Sequence, residues 1–282
     1  MGDIIACANQ KGGVGKTTTV VNLAAYLALR GDRVLIVDLD PQGNATSGLG
    51  IDRSSLGRSI YEGVLGTATA REVCRPTPVE GLYILPSAMA LAGAEVELAT
   101  SANREHRVAT LLEPLHDEFD TILIDCPPSL GLLTVNALTA ADAVIVPIQC
   151  EYYALEGVTQ LIATVNLVRD HLNPDLDVSG VILTMYDGRT NLSIEVADEV
   201  RHHLGSAVYE SAVPRSVRLT EAPGFGLPIA MYRPDSKGAA AYRSIADEYV
   251  ARRRRANAAF HEGVGIPVME DVTRSAFEEA RA

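Results

Sequence analysis

Ten residues near the start of the chain restrict the fold more than any other feature. Asn9-Gln10-Lys11-Gly12-Gly13-Val14-Gly15-Lys16-Thr17-Thr18 follows a short apolar run, Ile4–Ala8, and opens a helical pattern that continues to Arg30. Glycines at three of four successive positions let the backbone wrap tightly with its N–H groups pointing inward, and the start of the helix adds partial positive charge. Strand, glycine loop and helix in that order form a cradle for phosphate. Lys16 is placed to reach the β- and γ-phosphates of a nucleotide, and the Thr17 hydroxyl to ligate Mg2+. Gln10 stands where the common phosphate loop has its first glycine, and an additional lysine, Lys11, follows it. Lysine usage isolates the same place: the chain has 21 Arg but only 3 Lys, and two of the three are Lys11 and Lys16. A compact ammonium suits a tight loop better than a planar guanidinium does.

The rest of the chain reads as a sheet built around that loop. Ile4–Ala8, Val34–Val37, Tyr83–Leu85, Thr121–Ile124, Ala143–Ile148 and Val178–Thr184 are short, continuously apolar and bounded by Gly, Pro or Asp. Such runs predict strands buried on both faces. Helical patterns lie between them at 17–30, 104–118, 130–140, 155–171 and 194–204, and residues 47–78 read as short helices and loops. The alternation predicts an α/β fold, a mostly parallel twisted sheet flanked by helices, with the loops after the strands along one functional edge.

Two runs end in carboxylates at that edge: Asp38-Leu39-Asp40-Pro41-Gln42 after the second strand, and Asp125-Cys126-Pro127-Pro128 after a later one. Asp125 is suited to hold Mg2+, directly or through water. Asp40, just beyond its strand, is better placed to orient an attacking water. Asp38 either positions the loop or acts on the metal from behind its direct ligands. One strand-end Asp often does no more than cap a turn; two such runs beside a phosphate loop point to nucleotide chemistry.

Composition excludes several classes. At 47% apolar and 21% charged residues the chain has material for a sizeable core and is not globally disordered. A net charge of −12 excludes a uniformly basic coat. No apolar run approaches the ~18 residues of a bilayer span, so no integral membrane segment is expected. The first strand pattern starts almost at Met1, so no leader is expected. Cys7, Cys74, Cys126 and Cys150 show no CxxC or CxxxH spacing, which removes zinc and iron–sulfur signatures and predicts buried thiols in a reducing cytoplasm. After Tyr249 the character changes to a four-arginine run, Arg252–Arg255, and then an Ala/Glu-rich stretch. The expected division is therefore a domain over 1–250 and a loosely ordered tail over 251–282, with a short helical pattern near Asp271–Ala280.

The modified loop Lys11–Thr18, the Asp38–Gln42 run and the Asp125–Pro128 run together resemble the ParA/Soj ATPases, the partition branch of the deviant-Walker-A group that also contains MinD. Gln42–Gly50, Glu151–Gly157, Met185–Thr190 and Val213–Leu219 extend the resemblance over residues 1–250. It implies a single P-loop NTPase domain that binds ATP and Mg2+ between two subunits, through Lys11, Gly12, Gly13, Val14, Gly15, Lys16, Thr17 and Thr18. Lys11 matches the lysine that crosses to the partner's phosphates, in the manner of an arginine finger. Gly12 matches a position where two loops approach closely, Lys16 the ATP-binding lysine and Asp40 the residue required for hydrolysis. Pro214 and Ser216 match a segment framing the adenine, with Ser216 in place of the usual Asn. The resemblance further implies an ATP-bound homodimer that binds double-stranded DNA without sequence preference, nucleoid association, and a ParB-type centromere-binding partner that stimulates hydrolysis.

Charge constrains the DNA reading. Residues 1–250 carry 18 basic and 31 acidic side chains, so a DNA surface must be local. Arg189 and Arg218 match basic positions of the family's DNA surface, and Arg215 and Arg233 lie nearby in sequence; each alone reads equally as a solvated or salt-bridged residue. Arg252–Arg255 reads either as the basic end of a helix, complementing its dipole, or as an auxiliary DNA contact. The acidic tail is unlike a basic, apolar membrane-binding helix; beside the loosely ordered reading, Val264, Ile266, Val268 and Met269 could instead form a small docking segment. The second reading of the whole chain is a MinD-like positioning ATPase acting on membrane or a protein cargo.

Overall fold

Residues 2–152 and 154–262 are described by the computed structural model. The proposed docking segment at 264–269 and the helical pattern near 271–280 lie outside the described residues. Each of the six apolar runs forms a strand: β1 (Asp3–Cys7), β2 (Val34–Asp38), β4 (Leu82–Leu85), β5 (Thr121–Asp125), β6 (Ala143–Gln149) and β7 (Asp177–Thr184). Between β2 and β4 the chain adds β3, a two-residue strand at Arg75–Pro76. The order across the sheet is β3-β4-β2-β5-β1-β6-β7. Every neighbouring pair is parallel except β3 with β4. Two residues containing a proline carry no apolar period, and a proline in a sheet belongs at an edge, where β3 sits.

The helices are α1 (Lys16–Ala28), α2 (Asn44–Gly48), α3 (Ile60–Leu65), α4 (Ala70–Val73), α5 (Leu91–Leu98), α6 (Arg107–Leu112), α7 (Leu132–Ala140), α8 (Ala154–His171), α9 (Asn191–Leu204), α10 (Val217–Glu221), α11 (Ile229–Tyr232) and α12 (Lys237–Glu262). Alternation along the strands divides the core into two layers. Ile5, Cys7, Val34 and Ile36 face α1 and α12, packing with Leu23, Leu27, Tyr242 and Ile245. Ile4, Ala6, Leu35 and Val37 face the other way, toward Ile60 of α3, Leu112 of α6, Leu138 of α7 and Val165 of α8. Both layers are buried and apolar, which is why the strands read as unbroken apolar runs rather than alternating ones. None of the helices among the described residues is long and apolar enough to cross a membrane.

One predicted helix is corrected. The pattern over 104–118 is interrupted: a 3-10 turn at Arg104–His106 precedes α6, and a second at Glu113–Leu115 contains Pro114. Proline has no N–H to donate and collides with the preceding turn, so the α-helix stops before it. At the other end, α12 runs across residue 250 without a break. Its arginine run divides. Arg252 stacks over Tyr209 at 4.2 Å and donates to the Val208 carbonyl at 3.0 Å and to Glu248. Arg253 donates to the Thr121 hydroxyl at 3.0 Å and pairs with Asp32 at 3.4 Å and Asp3 at 3.7 Å. Arg254 and Arg255 are exposed. Half of the run therefore fastens α12 to the sheet's N-terminal edge, away from the strand ends that carry Asp38 and Asp125.

Candidate active site

Strand register assembles the site. Asp38 and Cys7 both pair with Asp125, so the C-terminal ends of β1, β2 and β5 lie side by side. The loop between β1 and α1 closes over them. Gly15, at the N-cap of α1, has φ +93°, and Gly13 has φ +76°. A Cβ at Gly13 would meet nothing within 4 Å, so backbone conformation rather than space requires glycine there. A Cβ at Gly12 would meet only Pro128, at 3.9 Å, so a side chain at Gly12 fits within one subunit. The first turn of α1 has no side-chain cap and no acidic residue. Its N–H groups and partial positive charge are left for an anion.

Three side chains that the sequence did not single out hold the loop in shape. The buried Asn9 amide donates to the Pro147 carbonyl at 2.7 Å and accepts from the Lys11 N–H at 3.0 Å. Thr184, closing β7, donates its hydroxyl to the Val14 carbonyl at 2.7 Å. Tyr242 of α12 shares a 3.2 Å hydrogen bond with Thr19. Asn9 opens the loop motif and Thr184 is the polar end of an apolar run; neither carries a signal of its own beyond that.

Both loop lysines rest on oxygens of the protein itself. Lys16 is buried, and its ammonium donates to the Lys11 carbonyl at 3.2 Å. Lys11 is half-exposed, and its ammonium meets Glu151 Oε2 at 3.4 Å. Thr18 gives its carbonyl to the Asn22 amide at 2.7 Å.

The carboxylates are more constrained. Asp125 is fully buried, and neither of its oxygens has a hydrogen-bond partner. Burial first, then the nearby Asp38 and Asp40 charges, push its carboxyl well above the ordinary range; the Thr17 hydroxyl and Lys16 oppose this, Thr17 without reaching hydrogen-bond geometry. Asp38 accepts from the Thr46 N–H at 2.8 Å and hydroxyl at 2.6 Å through Oδ2, while its Oδ1 is unpaired. Burial pushes Asp38 up to about 6 against the lowering by Thr46. Asp40 is nearly buried and accepts from the Gln42 N–H at 2.9 Å through Oδ1. The Ser87 hydroxyl fixes the Asp40 carbonyl at 2.7 Å. Desolvated carboxylate oxygens without partners are costly unless a cation arrives. Among the described residues no three His, Cys, Asp or Glu side chains form a metal cage. A metal seated here would thus rely on Thr17, Asp125, water and phosphate, a donor set of oxygens that fits Mg2+.

Pro214 and Ser216 reach the same edge from β7. The Val213 N–H donates to the Leu183 carbonyl at 2.8 Å, and Pro214 pairs with Tyr186 as an isolated bridge. Arg215, between them, lies 3.7 Å from Glu151, the residue that also holds Lys11. Ser216 takes the N-cap position of α10 but its hydroxyl caps nothing.

The two arginines predicted for DNA lie on this flank, exposed but paired. Arg189 is 88% exposed, and its guanidinium grips Asp187 at 2.9 and 2.8 Å. That guanidinium, with Arg215 beyond it, pulls the Asp187 carboxyl down to about 2. Arg218 donates to Glu221 at 2.8 Å.

Comparison with known proteins identifies the family. The model of a family described as an AAA domain matches residues 2–178. The sporulation initiation inhibitor protein Soj of Bacillus subtilis is 54% identical over 251 residues, spanning 89% of this chain and 99% of that protein. The chromosome partitioning protein ParA of Myxococcus xanthus is 52% identical over 252 residues, 89% of each. Among solved structures, one described as cobyrinic acid a,c-diamide synthase from Mycobacterium smegmatis, with a bound ATP analog and magnesium, superposes with a TM-score of 0.80. It shares 42% identity over 90% of this chain and 96% of that one. With about half of its residues shared with a Soj protein and with a ParA chromosome partitioning protein over nearly nine-tenths of its length, this chain belongs to the ParA/Soj family of ATPases.

Proposed function

We propose that the protein is a Mg2+-dependent ATPase that partitions DNA by switching between a free monomer and an ATP-bound, DNA-binding homodimer. One observation carries the nucleotide part: the unpaired, fully buried carboxylate of Asp125 lies beside Lys16, Thr17 and the uncapped start of α1. A desolvated carboxyl without a hydrogen-bond partner, a buried ammonium and a bare helix end side by side form a set that Mg2+ and phosphate would complete.

In this reading Gly12, Gly13, Val14, Gly15, Lys16, Thr17 and Thr18 wrap the phosphates with backbone N–H groups, and Lys16 leaves the Lys11 carbonyl for the β/γ oxygens. Thr17 and Asp125 hold Mg2+, which when bound neutralises charge on the phosphate oxygens. Asp40 orients water for in-line attack on the γ-phosphate, with Oδ1 fixed by the Gln42 N–H. Lys11 reaches across to the partner's phosphates and stabilises the charge that develops there. Pro214 and Ser216 frame the adenine. Arg189 and Arg218, doubled by dimerisation, bind DNA phosphates without reading sequence, and a ParB-type protein speeds hydrolysis and release. The protein would then be cytoplasmic and nucleoid-associated.

The test is co-sedimentation of the Asp40→Ala protein, with ATP or ADP, against duplex DNA and against anionic liposomes. Hydrolysis should fall at least 100-fold and the ATP dimer should persist. DNA binding with ATP alone, weakening as salt rises, is the expected result. Liposome binding without DNA binding would replace this reading with a membrane-positioning ATPase.

A further inference from the structure

We propose that Glu151 is a positioning residue that latches Lys11 inside its own subunit and sets how much ATP and protein are needed to form the dimer. The inference rests on the reading above, in which Lys11 acts across a dimer interface.

Four contacts carry it. Glu151 Oε2 meets the Lys11 ammonium at 3.4 Å, 140 residues away in sequence. Glu151 Oε1 accepts from the Gln149 amide and lies 3.7 Å from the Arg215 guanidinium. Lys16, meanwhile, rests on the Lys11 carbonyl. The loop thus satisfies both ammonium groups internally. A phosphate can take Lys16 from a neutral carbonyl without stranding a charge. Taking Lys11 away leaves a carboxylate behind, and the structure supplies what makes that tolerable: Glu151 keeps Gln149 and Arg215. The latch is therefore releasable rather than permanent.

Its strength follows from exposure. The Lys11 and Glu151 side chains are 39% and 45% exposed, so water screens the pair. Exposed pairs bias an equilibrium by about 1.4- to 5-fold each. Two latches open for every dimer, which multiplies the effect. The same carboxylate touches the segment that carries Pro214 and Ser216. Departure of Lys11 leaves Arg215 as its sole cationic partner among the described residues, drawing that segment toward the loop as the dimer forms.

The experiment compares Asp40→Ala protein with and without Glu151→Gln. The readout is the protein concentration for half-dimerisation in saturating ATP, by analytical ultracentrifugation. Glu151→Gln should lower it about 3- to 10-fold, and Glu151→Asp should restore it toward the parent value. With Gly12→Val added to block the dimer, Glu151→Gln should leave monomer ATP affinity unchanged. An unchanged or raised half-dimerisation concentration would overturn the latch, as would an altered ATP affinity in the Gly12→Val monomer. If the Asp40→Ala parent itself stayed monomeric with ATP, the dimer reading would fail first, and the two failures are told apart by that control. A thermal melt of Glu151→Gln without nucleotide, matching the parent, confirms that a lost fold is not being measured.

Discussion

The phosphate edge and the arginine flank use charge in opposite ways. At the phosphate edge, Asp125 and Lys16 are buried, and neither Asp125 oxygen has a hydrogen-bond partner among the described residues. On the flank, Arg189 and Arg218 are exposed and each already holds a carboxylate. Burial makes an unpaired charge expensive, so the first region stores a strong demand for one specific ligand. Exposure makes a paired charge cheap to exchange, so the second can trade Asp187 or Glu221 for a phosphate at little cost. A nucleotide site needs the first property. If the flank grips and releases DNA as proposed, it needs the second, because the carboxylates would offset the cations until phosphates displaced them.

The contrast can be broken at its buried end first. Lys16→Ala should weaken ATP binding by about 100-fold or more, measured by calorimetry, since it strands desolvated carboxylates and removes the phosphate's main cation. Near-normal binding would mean that the edge is not the nucleotide site. The exposed end should yield less. Arg189→Ala with Arg218→Ala should cost on the order of 100-fold in DNA affinity of the ATP dimer and lower the salt slope by about 0.9 per lost contact, while dimerisation is retained. An unchanged slope would move the DNA surface elsewhere. The smallest effect sharpens the comparison most. Asp187→Asn keeps an acceptor for the Arg189 N–H, now at 3.1 Å, but removes the charge. DNA binding should tighten about 2- to 5-fold in a filter or anisotropy assay. No change would mean that the Asp187 pair does not compete with DNA.

Much of the architecture was legible because its causes are local. A strand buried on both faces must be apolar throughout, and six such runs appear as six strands of the sheet. The phosphate loop was legible because glycine conformation and helix start are fixed within ten residues. Pro114 could have been read as a break in the 104–118 pattern, since its effect is also local. β3 could not, because two residues set no period. Within the site, Asp38, Asp40 and Asp125 stood out as carboxylates closing apolar runs. Thr46, which holds Asp38, and Thr184, which holds the Val14 carbonyl, did not, because a hydroxyl gains meaning only from what faces it.

The sequence by itself determined the α/β alternation, the anion cradle at the start of α1 and the type of chemistry the strand ends can support. Tertiary structure alone decided the strand order, and with it the pairing of Asp38 with Asp125 that concentrates negative charge beside Lys16. It decided that Arg252 and Arg253 bind the body while Arg254 and Arg255 stay exposed. It also set Glu151 between Lys11 and Arg215, residues 140 and 64 positions away. The physical reason is range. Backbone preference and apolar periodicity act over a few residues and are written along the chain. Electrostatic partnership acts through space, and the chain does not state which distant charges will meet until the sheet has been assembled.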